Sequence, residues 1–142
     1  MKIKSENFIN FIKINSGNFR FILFYGPNIG LVNLLFNKVI KELSIDVNDP
    51  FNVSKFYTQN LIDDPYILTD TVTTFTMTSD KRIILLDLSN NSPRKNIIDN
   101  IKLSLSSEVD NCLLIIKADN LGAMNELVKF TLNSKFGVEF EI

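Results

Sequence analysis

Apolar residues along this chain fall into two alternating spacings. Unbroken apolar runs of strand length are closed by turn residues, and between them apolar positions recur three and four apart, as on one face of a helix. The first run, Phe19-Arg20-Phe21-Ile22-Leu23-Phe24-Tyr25, ends at Gly26-Pro27 and reads as a buried strand followed by a turn. From Gly30 onward, Val32, Leu35, Phe36, Val39, Ile40 and Leu43 form a helical stripe suited to packing on a sheet. Asp49-Pro50 marks a turn before a second strand, Phe51 to Tyr57. Asp64-Pro65 reads as a helix start, with Asp64 as cap and Pro65 at the first helical position, and Leu68, Val72 and Phe75 then share a face. Arg82 to Leu88 is a third strand, and Asn90 to Pro93 is a polar loop. Ile97, Ile98, Ile101 and Leu105 stripe the helix that follows. Cys112 to Lys117 is a fourth strand, Leu121, Met124, Val128 and Leu132 stripe another helix, and Val138 to Ile142 is a fifth strand. A short amphipathic helix over Ser5 to Ile14 precedes them all.

Strands this apolar are buried on both faces, and strands that alternate with helices pair in parallel. The fold class predicted is therefore α/β: a mostly parallel five-stranded sheet with helices on both faces. The sequence shows no internal repeat, low-complexity linker or composition break, so residues 1–142 are expected to form one domain.

Charge and composition narrow the function classes. Fifteen basic residues against sixteen acidic give a net charge of −1, leaving no excess of cations to neutralise phosphates, so direct binding to nucleic acid is not expected. Histidine is absent, which removes the commonest general base and the commonest metal ligand. The single cysteine, Cys112, opens an apolar run and reads as a small core residue; one cysteine makes neither an internal disulfide nor a multi-cysteine zinc site. No metal site and no cofactor are expected. The apolar runs are strand-sized rather than membrane-spanning, and the N-terminus has no signal-peptide core, so no membrane association and a cytoplasmic location are expected.

Three segments are candidates for chemistry. The turn Gly26-Pro27-Asn28-Ile29-Gly30 stands between a strand and a helix, where a phosphate loop would stand. A working loop would continue with Gly-Lys-Ser/Thr, but these positions hold Leu31, Val32 and Asn33, without the lysine for phosphates or the hydroxyl for magnesium. Gly26, Pro27 and Gly30 are then structural, the glycines allowing unusual backbone angles and close helix–strand packing. Asp87, after Ile83-Ile84-Leu85-Leu86, resembles the strand-end acid that holds magnesium in nucleoside triphosphatases; without the lysine it reads as a loop cap or a solvated group. Asp63-Asp64 beside Pro65 reads as helix capping rather than metal binding. The third segment is Thr73-Thr74-Phe75-Thr76-Met77-Thr78-Ser79, where Phe75 and Met77 stand among hydroxyls at a helix end. From the residues alone they either tuck inward, as apolar residues generally do, or project as anchors for a partner's pocket.

Taken in order, these segments resemble the first domain of the delta subunit of the bacterial DNA polymerase III clamp loader. The resemblance rests on Leu23-Phe24-Tyr25-Gly26-Pro27-Asn28-Ile29-Gly30-Leu31-Val32, on Asp49-Pro50-Phe51-Asn52-Val53, on Leu61 to Asp70, on Lys81-Arg82 leading into an apolar strand, and on Ala118-Asp119-Asn120-Leu121-Gly122. It implies a domain of the P-loop NTPase and AAA+ type whose nucleotide site is lost. It also implies that the domain binds the ring-shaped beta sliding clamp, helps open it for loading on DNA, and works beside other clamp-loader subunits, with DNA met only indirectly. DNA synthesis would belong to the polymerase assembly and not to this non-catalytic component. In the family, apolar residues before the third strand grip the clamp, and the matching positions here are Phe75, Met77 and Thr78. Thr78 departs from the pattern, since an aromatic residue is expected there. The family's lid and collar domains have no counterpart in residues 1–142.

Rival readings differ in class. An active P-loop nucleoside triphosphatase lacks its lysine. A signalling receiver lacks clustered acids, because the first strand ends in Tyr25-Gly26-Pro27. A scaffold domain of another complex is set aside only by the resemblance.

Overall fold

The computed structural model describes residues 2–4, 10, 20–74, 82–89, 95–106, 112–121, 125–133 and 137–141. Among these residues six strands form one sheet: β1 (Lys2–Lys4), β2 (Phe21–Tyr25), β3 (Val53–Tyr57), β4 (Arg82–Asp87), β5 (Cys112–Lys117) and β6 (Gly137–Glu141). Their spatial order is β1-β6-β2-β5-β4-β3, and every pairing is parallel. The five expected strands are all present. The sixth, β1, extends the sheet at one edge, where Lys2, Ile3 and Lys4 stand in register with Glu139, Phe140 and Glu141. Apart from Asn10, the helix expected over 5–14 lies outside the described residues, as does the loop 90–93.

Among the described residues five helices make the crossovers: α1 (Ile29–Glu42), α2 (Thr58–Asp63), α3 (Ile67–Thr74), α4 (Lys95–Ser106) and α5 (Glu126–Asn133). Strand alternation sends side chains to both faces, and each face has its own core. On one side Ile22, Phe24, Leu113 and Ile115 meet Val32, Leu35, Phe36 and Val39 of α1. On the other, Leu23, Ile84, Leu86 and Ile116 meet residues of α2 to α5, including Leu61, Leu68, Ile101 and Leu127. The helical stripes predicted in α1 and α4 are the buried faces observed: Val32, Leu35, Phe36 and Val39 in the first, Ile97, Ile98 and Ile101 in the second.

The Asp64-Pro65 pair behaves differently from expectation. Asp64 does cap, but its Oδ1 accepts from the Tyr66 amide at 3.2 Å and closes a turn, so the helix begins two residues past Pro65, at Ile67. The short α2 that precedes it, only six residues long, carries too few apolar positions to show a period. Cys112 is partly buried, and loss of hydration pushes its thiol up to about 11, only partly offset by Arg82. It is an inert core thiol, as expected.

Candidate functional site

In open α/β sheets, ligands sit beyond the carboxyl ends of the strands, where the connections diverge to opposite sides. In this sheet that place is between β2, whose connection leads to β3 at the far edge, and β5, whose connection leads to β6 on the other side. The turn after β2 is the segment that stands where a phosphate loop would.

Gly26 is buried and has φ 154°, a backbone angle that side chains rarely tolerate. Its amide donates to the Asp119 carbonyl at 3.3 Å, and the Ala118 amide donates to the Phe24 carbonyl at 2.9 Å, so the loops after β2 and β5 are tied to each other across the crevice. Pro27 is exposed and stands in the bend before α1. Gly30 departs from its expected role. It lies exposed in the first turn of α1, and a Cβ there would make only an ordinary 3.5 Å contact with Asn28 Oδ1, so close helix–strand packing does not require it. Asn28 is the N-cap: its Oδ1 accepts from the Leu31 amide at 3.1 Å. One of the amides that would cradle a phosphate at the helix start is thereby engaged within the loop.

Behind the turn, three side chains from three elements converge. Lys117, the last residue of β5, donates through Nζ to Asn33 Oδ1 on α1 at 2.8 Å. The same Nζ lies 3.5 Å from Asp87 Oδ2 at the end of β4 and 4.9 Å from the centre of the Phe36 ring. Both ionic side chains are largely withdrawn from solvent, Lys117 at 19% and Asp87 at 25% exposure. Asp87 also caps its own turn, its Oδ1 accepting from the Ser89 amide at 2.9 Å and from the Ser89 hydroxyl. The capping role read for Asp87 is therefore present, and an ion pair is added to it. A recess of about 350 Å³ adjoins the cluster, with Lys117, Asp87, Phe36 and Tyr57 among its lining residues.

A magnesium-bound phosphate group does not fit this arrangement. Val32 offers no cation, the Leu31 amide is engaged, and both the Asn33 oxygen and Asp87 face an internal ammonium. The link through Lys117 was not legible in the sequence. The only signal is a lysine closing the apolar run Cys112 to Ile116, and that reads equally well as the solvated end of a strand. Among the described residues no group of three or more His, Cys, Asp or Glu side chains is placed to hold a metal ion.

Phe75, Met77 and Thr78 lie outside the described residues. Their flanks are described: α3 ends at Thr74 and β4 begins at Arg82. Because the strands are parallel, Arg82 stands at the edge where strands begin, opposite the edge that carries Gly26 and Lys117.

Comparison with known proteins agrees with this geometry. The solved structure of RuvB T158V from Thermotoga maritima superimposes with a TM-score of 0.50 at 13% sequence identity, covering 96% of this chain and 42% of that one. At such low identity the likeness is one of fold alone, a parallel α/β architecture. No curated protein matches the sequence. The family model described as DNA polymerase III, delta subunit, matches residues 22–141, from β2 to the last residue of β6. This chain belongs to the DNA polymerase III delta subunit family, a family of clamp-loader components in DNA replication.

Proposed function

We propose that this domain binds the beta sliding clamp and helps to open it, gripping through Phe75, Met77 and Thr78, without binding or hydrolysing a nucleotide. The observation that carries the reading is the family match over residues 22–141, which runs through all three positions. An aromatic ring and a methionine suit a partner's pocket, offering large apolar area and an adaptable shape. Each truncation is expected to cost about 1–3 kcal/mol of clamp binding. The threonine at position 78 supplies less area than an aromatic residue, so Phe75 and Met77 carry most of the grip.

The mechanism is mechanical. A partner that binds the open clamp better than the closed clamp shifts the population toward the open form by the difference in binding energy, and no bond is made or broken. Energy from ATP would enter through other clamp-loader subunits. DNA is met only through the loaded clamp, in keeping with a net charge of −1. Among the described residues no helix is long and apolar enough to cross a membrane, which accords with work in the cytoplasm. The test is titration of the domain into purified beta clamp with and without magnesium-ATP. Saturable binding with the same affinity in both conditions is expected. No binding by the folded domain would leave the scaffold reading in its place.

A further inference from the structure

In a nucleotide-binding P-loop domain, the divalent metal is held by the hydroxyl that ends the phosphate loop and by a carboxylate at a strand end. In this chain those two places carry Asn33 and Asp87, and between them lies the ammonium of Lys117, 2.8 Å from one and 3.5 Å from the other. We infer that Lys117 is a built-in cation standing where the divalent metal would bind, and that it holds α1 permanently to the ends of β4 and β5. The inference rests on the proposal that the domain works without nucleotide, and it supplies a physical cause for it.

Four features fit a stand-in better than an incidental ion pair. First, the lysine reaches both former ligand positions: its Nζ lies against Asn33, Asp87 and the face of Phe36. Second, the residue at the hydroxyl position is suited to the change. An amide oxygen projects further from the backbone than a serine or threonine hydroxyl, and it is a pure acceptor for an N–H donor arriving from β5. Third, the charges close locally. Within the cluster one ammonium offsets one carboxylate. Fourth, the Phe36 ring, buried in α1, lies 4.9 Å from the ammonium and takes part of the role of water in solvating it.

A bound metal comes and goes with its nucleotide, whereas a tethered ammonium does not. The junction of α1 with β4 and β5 is thereby held in one arrangement rather than changing on a nucleotide cycle. Other subunits would supply the timing.

The experiment compares thermal unfolding of the wild-type domain, Lys117→Ala, and Lys117→Ala combined with Asp87→Asn, each with magnesium or manganese chloride and with sodium chloride of equal ionic strength. The wild type is expected to show no response to divalent ions beyond the sodium control. Lys117→Ala, which vacates the position beside the open recess, is expected to melt several degrees lower and to regain part of that loss with manganese or magnesium but not with sodium. The gain should vanish when Asp87→Asn is added. Equal responses of wild type and Lys117→Ala to divalent ions, or a gain that survives Asp87→Asn, would overturn the inference. If Lys117→Ala does not fold alone, refolding it with and without manganese makes the same comparison: recovery only with the metal supports the stand-in role, and no recovery overturns it. Clamp titration of the wild type reports separately on the functional reading, so the two fail independently.

Discussion

Gly137 lies so close to Phe21 that a Cβ on it would come within 2.8 Å of three atoms of the Phe21 ring. The two residues are register partners on the adjacent parallel strands β2 and β6. The ring is 2% exposed and stacks on Phe130 at 5.9 Å between centroids, so it has no free space to move into. The absence of a side chain at the start of β6 is what lets the large aromatic of β2 lean across its neighbour. Gly137→Ala is therefore expected to destabilise the domain by about 1–3 kcal/mol, the usual cost of overpacking a filled core. Urea unfolding would check this, with an unchanged midpoint counting against the contact.

Helix α1 ends in a paired-bond cap without a glycine. The Ile45 amide donates to the Ile40 carbonyl and the Ser44 amide to the Lys41 carbonyl, both at 3.0 Å, and Ser44 takes φ 54°. That left-handed conformation is the one glycine adopts at least cost. Ser44→Gly is expected to stabilise the domain by about 0.5–1 kcal/mol. A raised urea midpoint with unchanged slope would agree, and a lowered midpoint would not.

Asp49 organises the turn before β3. Its Oδ1 accepts from the amides of Phe51 at 2.9 Å and Asn52 at 3.2 Å, and its Oδ2 accepts from Asn52 Nδ2 at 3.0 Å. These bonds favour the ionised form, first among them the bond from the Phe51 amide, and hold its carboxyl below the ordinary range. A carboxyl depressed on folding contributes stability above its unfolded pKa and loses it as pH falls through the folded pKa. The gap in melting temperature between wild type and Asp49→Ala should be open at neutral pH and close in acid below the ordinary carboxylate range. A gap that is independent of pH would contradict this.

Cys112 predicts the opposite behaviour. With its thiol raised to about 11 by burial, it stays neutral in the folded state where the unfolded thiol ionises. Its contribution to stability is complete below the unfolded thiol range and is lost as pH rises toward 11. Labelling by a thiol-disulfide reagent near pH 8 should be far slower in the native domain than in urea, because the thiolate is the reactive species. Equal rates would refute the buried placement.

The fold was legible where burial is uniform. Cys112 to Ile116 is an unbroken apolar run closed by Lys117, and the strand observed there, Cys112–Lys117, has the same bounds as the one predicted. Val32, Leu35, Phe36 and Val39 announced their face through helical spacing alone. What was not legible depends on partners distant in sequence. Lys2 to Lys4 is too short to signal a strand and becomes one only opposite Glu139 to Glu141. Asn33 and Lys117 are 84 residues apart and share no period, so the join between α1 and the end of β5 emerges only from the crossover topology. Gly30 was expected to permit close helix–strand packing, yet this fold makes no such demand on it.

The central claim is that the domain grips the clamp through residues before β4 and needs no nucleotide to do so. Calorimetric titration of the wild-type domain and of a Phe75→Ala, Met77→Ala double variant into purified beta clamp, without nucleotide, tests it most directly. Saturable wild-type binding is expected, reduced at least tenfold in a double variant that keeps its circular dichroism and melting temperature, since two anchors of about 1–3 kcal/mol each are removed. Equal affinity in the two proteins, or no binding by well-folded wild type, would contradict it.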